Sequence, residues 1–234
     1  MIEIRPFSSL GRFDNDWLAA RYHFSFSNYR DPARTQWGAL RVWNDDTIQP
    51  KTGFPPHGHQ DMEIITYVRT GAITHEDGMG NRGRTAAGDV QVMSAGSGVQ
   101  HAEFNLEDEA TTLYQIWILP KTRGGAPFWG AAKFPKDARA GSLVTLASGY
   151  EADQGAGALP IRQDARVMAA TLEAGQGVTH PLAKVRRAYL AVAKGRVRIN
   201  GHALDARDGA AIRDEPSLDI RAEDEAEIVL VDTP

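Results

Sequence analysis

The chain has 234 residues, 42% of them hydrophobic, a net charge of −4 and no cysteine. That length makes one large domain or two small ones with a real core, and the weak negative charge argues against long-range attraction to nucleic acid or anionic lipid. Without cysteine there is no disulfide, thiolate ligand or thiol nucleophile, so any metal site must draw on His, Asp, Glu and water; the composition fits a cytoplasmic protein.

In chain order, MIEIRPFSSL has no basic segment followed by an apolar one, so no secretory signal is expected. Phe13–Ala20 carries the best helical signal, with Asp14 or Asn15 as its cap. Val/Ile/Thr/Tyr-rich runs then predict strands at His23–Phe26, Leu40–Asn44, Glu63–Arg69, Ala72–Glu76, Asp89–Ser94 and Thr112–Leu119. The stretch PKTRGGAPFWGAAKFPKDARAG, 120–141, is rich in Pro, Gly and Ala without a sustained period and reads as a linker or long connection. Further strands are predicted at Leu143–Ala147, Arg166–Leu172, Arg187–Lys194, Arg196–Ile199, Ala210–Arg213 and Ile228–Val231, with Lys184–Arg187 as a solvated basic edge. Glycines recur between the runs, which is the pattern of a strand-rich sandwich or barrel. No apolar run approaches the roughly 18 residues that span a bilayer.

The two halves are alike. Residues 63–93 run strand, Gly turn, strand, loop, Gly-Asp, strand, and 187–214 repeat that order with a shorter loop, which suggests duplication. The second copy has no His-x-His before its first strand, only a lone His180.

The chemistry concentrates in PPHGHQDMEIITYVRTG, 55–71. On a strand, positions 57, 59, 61 and 63 share a face, so His57 and His59 are able to aim two imidazoles at one cation. SAGSGVQHAEFN, 94–105, offers His101 and Glu103 at the same spacing, behind small residues that permit close backbone approach. Three imidazoles and a carboxylate suit Fe, Mn, Ni, Cu, Co or Zn rather than Ca or Mg. Glu63 shares parity with both early histidines and competes with Glu103 for the fourth position; spacing alone leaves the choice open. The other histidines read as structural: His75 as a surface residue of a polar strand, His23 as a satisfied core histidine, His180 and His202 as loop residues. Ser94 and Ser97 lack the elbow of a nucleophilic serine, and GMGNRG, 78–83, lacks the Lys-Ser/Thr of a phosphate loop and reads as a hairpin loop.

Taken together, P-H-x-H-x-x-x-E-x-x-T-Y, then H-E-D-x-x-G-N, then G-D-V-Q-x-M-x-A-G-x-G-x-x-H-x-E strongly resemble the pirin family of bicupins, in particular its bacterial quercetin 2,3-dioxygenase-like branch. The resemblance is dense in the first half and thinner in the second. It implies an all-β fold of two tandem cupin (double-stranded β-helix) barrels with few short helices. An N-terminal domain over 1–135 would carry the metal, and a C-terminal cupin-like domain over 136–234 would lack metal ligands. Carried over residue by residue, the ligands are His57, His59, His101 and Glu103, with Glu63 as a supporting carboxylate. One divalent ion is implied, iron ahead of Mn, Co, Ni, Cu or Zn. The implied activity is ring opening of a flavonol such as quercetin with O2 and loss of carbon monoxide, Glu103 accepting the 3-hydroxyl proton. The family also implies a rival reading, a metal- or redox-sensing regulator that docks on a protein partner. Because cupins host many reactions, an isomerase or hydrolase acting on another small molecule is a third.

Overall fold

The computed structural model describes residues 1–234. The first half comprises β1 (Ile2–Arg5), β2 (Gly11–Asp14), β3 (Leu18–Tyr22), β4 (Leu40–Ile48), β5 (Thr52–His59), β6 (Glu63–Thr70), β7 (Ala72–Asp77), β8 (Arg82–Ala86), β9 (Val90–Ser94), β10 (Val99–Asn105), β11 (Thr111–Ile118) and β12 (Phe128–Ala132). The second comprises β13 (Val144–Ser148), the short α1 (Glu151–Gly155), β14 (Leu159–Pro160), β15 (Arg166–Leu172), β16 (Gly177–Pro181), β17 (Arg187–Lys194), β18 (Val197–Ile199), β19 (His202–Leu204), β20 (Gly209–Arg213), β21 (Ser217–Ala222) and β22 (Ala226–Thr233). No helix is long and apolar enough to cross a membrane.

Each half pairs a seven-stranded sheet with a four-stranded one. The first has orders β12-β9-β6-β11-β4-β3-β2 and β5-β10-β7-β8; the second has β1-β20-β17-β22-β15-β13-β14 and β16-β21-β18-β19. The eight strands β4–β11 and the eight strands β15–β22 occupy matching places, which is the repeat read in the sequence, and both halves are cupin barrels. The N-terminal strand crosses over: β1 pairs with β20, Ile2 opposite Ile212, filling the edge that β12 fills beside β9.

Strand alternation divides the core into layers. On β6, Ile64, Thr66 and Val68 face the barrel interior, while Ile65 and Tyr67 face the other half. The largest apolar cluster, 21 buried residues including Trp43, Tyr67, Tyr114 and Tyr189, therefore lies between the two seven-stranded sheets. The second barrel is filled by one cluster of 19 buried residues, among them Met168, Leu190, Ile212, Ile220 and Leu230. The first barrel's apolar filling is broken into groups of seven and four. Polar side chains occupy the gap, among them Asn44, Asp46, Gln91, His101, Glu103 and Gln115.

Several local expectations are corrected. Phe13–Ala20 is no helix: β2 and β3 pair as a hairpin, and Asn15 Oδ1 accepts from the amides of Trp17 (3.0 Å) and Leu18 (2.7 Å), a turn rather than a cap. His23–Phe26 follows β3 and contributes only the bridge between Phe26 and Tyr29. The stretch 120–141 is partly ordered into the sheet as β12. His180 and His202 lie on strands, and His180 is buried against Asp232 at 2.9 Å, with Arg186 on the same carboxylate. His23 does sit in the core, its Nδ1 2.8 Å from the Tyr189 hydroxyl.

Candidate metal centre and active site

β5 and β10 pair so that His57 stands directly opposite His101. The register then slips: Glu103 faces Phe54, leaving Pro55 and Pro56 opposite the single Ala102. Neither proline has an N–H to give the ladder, so a bulge forms where they fall. Gly53 makes the approach possible, since a Cβ there would lie 2.2 Å from the Glu103 carbonyl oxygen. The alternation that grouped 57, 59, 61 and 63 ends at His59. Residues 60–62 turn, with Asp61 at φ +51° and its Oδ1 accepting from the Gly124 amide at 2.6 Å.

His57, His59 and His101 converge, each offering a ring nitrogen within 4.8 Å of the others. Their proton positions follow from their outer partners. His57 Nδ1 donates to the Pro55 carbonyl at 2.8 Å, which leaves a lone pair on Nε2. His75 Nε2 donates to Asp77 Oδ2 at 3.0 Å, so His75 Nδ1 is an acceptor and takes the Nδ1–H of His101 at 3.3 Å. That leaves His101 Nε2 as a lone pair, 3.1 Å from His57 Nε2. His59 Nε2 is buried with no hydrogen-bond partner at all. Two nitrogen lone pairs and the unpartnered Nε2 of His59 are thus brought together. Burial, reinforced by the neighbouring imidazoles, pushes His59 down to about 4 and His101 down to about 3, so both rings are neutral near pH 7. An unfilled cluster of this kind is repulsive; a borderline-soft divalent ion relieves it.

Glu103 is held by a polar cage. Oε1 accepts from Thr66 Oγ1 (3.1 Å) and Gln91 Nε2 (2.6 Å), and Oε2 accepts from Gln115 Nε2 (2.5 Å). Three of the four carboxylate lone-pair sites are used, and the one remaining is on Oε2. Glu103 groups with His101 and His75 rather than with the other two histidines. Glu63 is not brought to the cluster. It lies on the inter-half face of β6, 1% exposed, and accepts from Ser94 Oγ (2.8 Å) and the Arg162 amide (3.1 Å) of the second half. Burial, only partly offset by those bonds, raises its carboxyl above the usual range.

Correction is also needed for His75, which is fully buried rather than on the surface. Trp129 of β12 stacks on it, with ring centroids 4.9 Å apart and planes at 10°. Gly83, opposite His75 on β8, leaves the space: a Cβ there would meet the Trp129 ring at 2.2 Å. Burial alone would raise Asp77, but bonds from Asn81, His75 and the Asn81 and Met79 amides outweigh it and hold the carboxyl below its ordinary value. His75 and Asp77 alternate on β7, and that parity was the one sequence signal for them.

The cluster opens into a cavity of about 310 Å³, in the range of small-molecule sites. Phe26, Phe54, Ile64 and Trp117 supply apolar walls; Asn44, Asp46, Gln115 and Glu103 supply polar ones. Trp117 packs edge-on to His59 at 4.9 Å and to Phe26 at 5.3 Å. Phe26 and Trp117 also border an outer cavity of about 600 Å³ that includes Arg30, Arg41 and Met62.

The sequence profile described as Pirin matches residues 3–118, and that of the quercetinase C-terminal cupin domain matches 145–233. A pirin-like protein of Caulobacter vibrioides is 62% identical over 99% of both chains. The quercetin 2,3-dioxygenase of Escherichia coli strain K12 is 40% identical over 100% of this chain and 99% of its own. A crystal structure of a bacterial pirin from Escherichia coli in complex with nickel(II) superposes with a TM-score of 0.93 at 38% identity, covering 100% of this chain and 99% of that one.

Proposed function

The chain belongs to the pirin family of two-cupin proteins, and we propose that it is a metal-dependent dioxygenase that opens the central ring of a flavonol such as quercetin with O2 and releases carbon monoxide. The observation that carries this reading is the convergence of three imidazoles beside a carboxylate at the end of a partly aromatic cavity. Its relatives of the quercetin 2,3-dioxygenase name support it.

His57, His59 and His101 would hold one divalent ion, with Glu103 Oε2 as the fourth donor. Iron stands ahead of Mn, Co, Ni, Cu and Zn in this proposal. When bound, such an ion supplies Lewis acidity and, if redox-active, an electron route between flavonol and O2. The remaining work falls to the protein. Phe26, Phe54 and Trp117 pack the flavonol rings and exclude water. Glu103 accepts the 3-hydroxyl proton on Oε2, its one open site, while Gln91, Gln115 and Thr66 fix its orientation. With one lone pair left, Glu103 serves the ion or the proton at any instant.

The test uses metal-stripped protein reloaded anaerobically with Fe, Mn, Ni or Co, given quercetin and then O2. Ring-opened product with at least one metal supports the proposal. No product with any of them refutes it, and partner affinity that follows the metal's oxidation state would then select the regulatory role.

A further inference from the structure

Asn44 and Asp46 are not among the proposed ligands, yet, like His59, each brings a buried atom without a hydrogen-bond partner to the cavity lining. They project from β4 into the barrel, 4% and 2% exposed. Asn44 Oδ1 and Asp46 Oδ1 are both buried without a hydrogen-bond partner. The carboxylates and carboxamides around them are bonded. Asp45, between them and facing the opposite way, is bound by Arg69 and by Arg207 Nε at 2.6 Å. Glu103, Gln91 and Gln115 in the same barrel are all bonded. The second barrel puts Met168, Ala170 and Leu172 on the matching strand β15.

Unpartnered buried polar groups cost folding free energy. A fold that carries two of them side by side in a cavity leaves their partners to be brought by solvent or by a ligand that displaces it. The geometry points to Asn44 and Asp46 as the specificity subsite of this cavity, hydrogen-bonding the hydroxyl substituents on the rings of an aromatic substrate. This rests on the flavonol reading above and adds what orients the molecule once it enters. Positions 44 and 46 are two residues apart on one strand face, so their heads stand roughly 7 Å apart, which suits two oxygen substituents on a rigid ring system. Burial, with the Asp45 and Glu103 carboxylates nearby, pushes the Asp46 acid well above the usual carboxylate range. Asn44 both donates and accepts, and a protonated Asp46 does the same.

The experiment compares wild type, Asp46→Leu and Asp46→Asn, each loaded with zinc to prevent turnover. Anaerobic affinities are measured for quercetin and for 3-hydroxyflavone, which lacks the other ring hydroxyls, and Tm is measured without ligand. In Asp46→Leu, quercetin binding should weaken about tenfold or more, binding of 3-hydroxyflavone should change less than about twofold, and Tm should rise, because an unpartnered polar group has been removed. Asp46→Asn, which keeps a donor and an acceptor, should bind quercetin close to wild type. A fall in Tm for Asp46→Leu overturns the subsite, since it marks a structural role. Equal losses for the two ligands, or no loss, also overturn it while leaving the flavonol reading intact. A wild type that binds neither ligand overturns the flavonol reading and the subsite together.

Discussion

Replacing His75 by Phe should weaken metal binding without unfolding the protein. His75 is not itself a proposed ligand; it receives the Nδ1–H of His101 and passes its own Nε2–H to Asp77. Phenylalanine keeps the stack on Trp129, whose plane lies 10° from the imidazole, but offers His101 no acceptor. His101 is then free to rotate or to carry its proton on Nε2, the nitrogen that faces His57 at 3.1 Å. Partners of this outer kind are worth about 10- to 100-fold in metal affinity, or about 1.4 to 2.8 kcal/mol. Folding should suffer less: Asp77 loses one bond but keeps those from Met79 N, Asn81 N and Asn81 Nδ2, a cost of about 1 kcal/mol. Chelator competition gives the affinity and denaturant unfolding of the metal-free protein gives the stability. Affinity within about twofold of wild type would refute the reasoning, and so would a stability loss large enough to account for the weaker binding.

Glu103→Gln sets a carboxamide among three donors and removes the open acceptor, so kcat/KM for flavonol should fall by about 10²- to 10⁴-fold, measured by steady-state kinetics. Gly53→Ala forces a Cβ against the Glu103 backbone and should destabilise the chain by about 1 to 3 kcal/mol, read from urea unfolding. Glu227→Ala leaves Arg139, 1% exposed and bonded to that carboxylate and to the Tyr67 hydroxyl, as an uncompensated buried charge between the halves; the expected loss is about 3 to 5 kcal/mol, again from unfolding curves. For the metal-free protein, His59 and His101 have folded values near 4 and 3 against an ordinary 6.5. At these two sites the unfolded chain binds more protons between those limits, so their contribution is complete above about 6.5 and is lost as pH falls toward 4, while the raised carboxyls of Asp46, Glu63 and Glu227 contribute in the opposite sense. Tm measured from pH 7.5 to 4.5 should therefore fall more steeply, or rise less, in the wild type than in a His59→Phe/His101→Phe variant, and equal slopes contradict it.

Strand-by-strand alternation made most of the fold readable. Arg166–Leu172 and Arg187–Lys194 are strands with the boundaries that their apolar pattern predicts. Asp14 and Asn15 misled because an Asx turn and a helix cap use the same side chains, and only pairing of Leu18 with Ile48 on β4 decides between them. His75 was unreadable for a longer-range reason. Its own segment, THEDGMGNRG, is polar throughout, and the residue that buries it, Trp129, lies in the Pro/Gly-rich stretch that shows no period. One strand, β12, therefore accounts for the misreading of His75 and for that of 120–141 as a linker. The pairing of His57 with His101 was legible as two matching His motifs. The bulge at Pro55-Pro56 was not, because a proline pair signals a turn as readily as a bulge. Glu63 and Asp61 shared parity with the histidines in sequence; three residues of turn remove them from the cluster, and this turn has no Gly or Pro to announce it.

The most direct test of a metal-dependent ring-opening enzyme is stoichiometry at the histidine cluster. Wild-type protein loaded with a redox-active metal is supplied with quercetin under limiting O2, and O2 consumed, carbon monoxide released and flavonol lost are measured together, beside a His57→Ala/His101→Ala variant that keeps the wild-type fold by circular dichroism. The expected result is one carbon monoxide per O2 and per flavonol in the wild type and none above background in the variant. Carbon monoxide release that survives the double substitution, or flavonol loss without carbon monoxide, would contradict it.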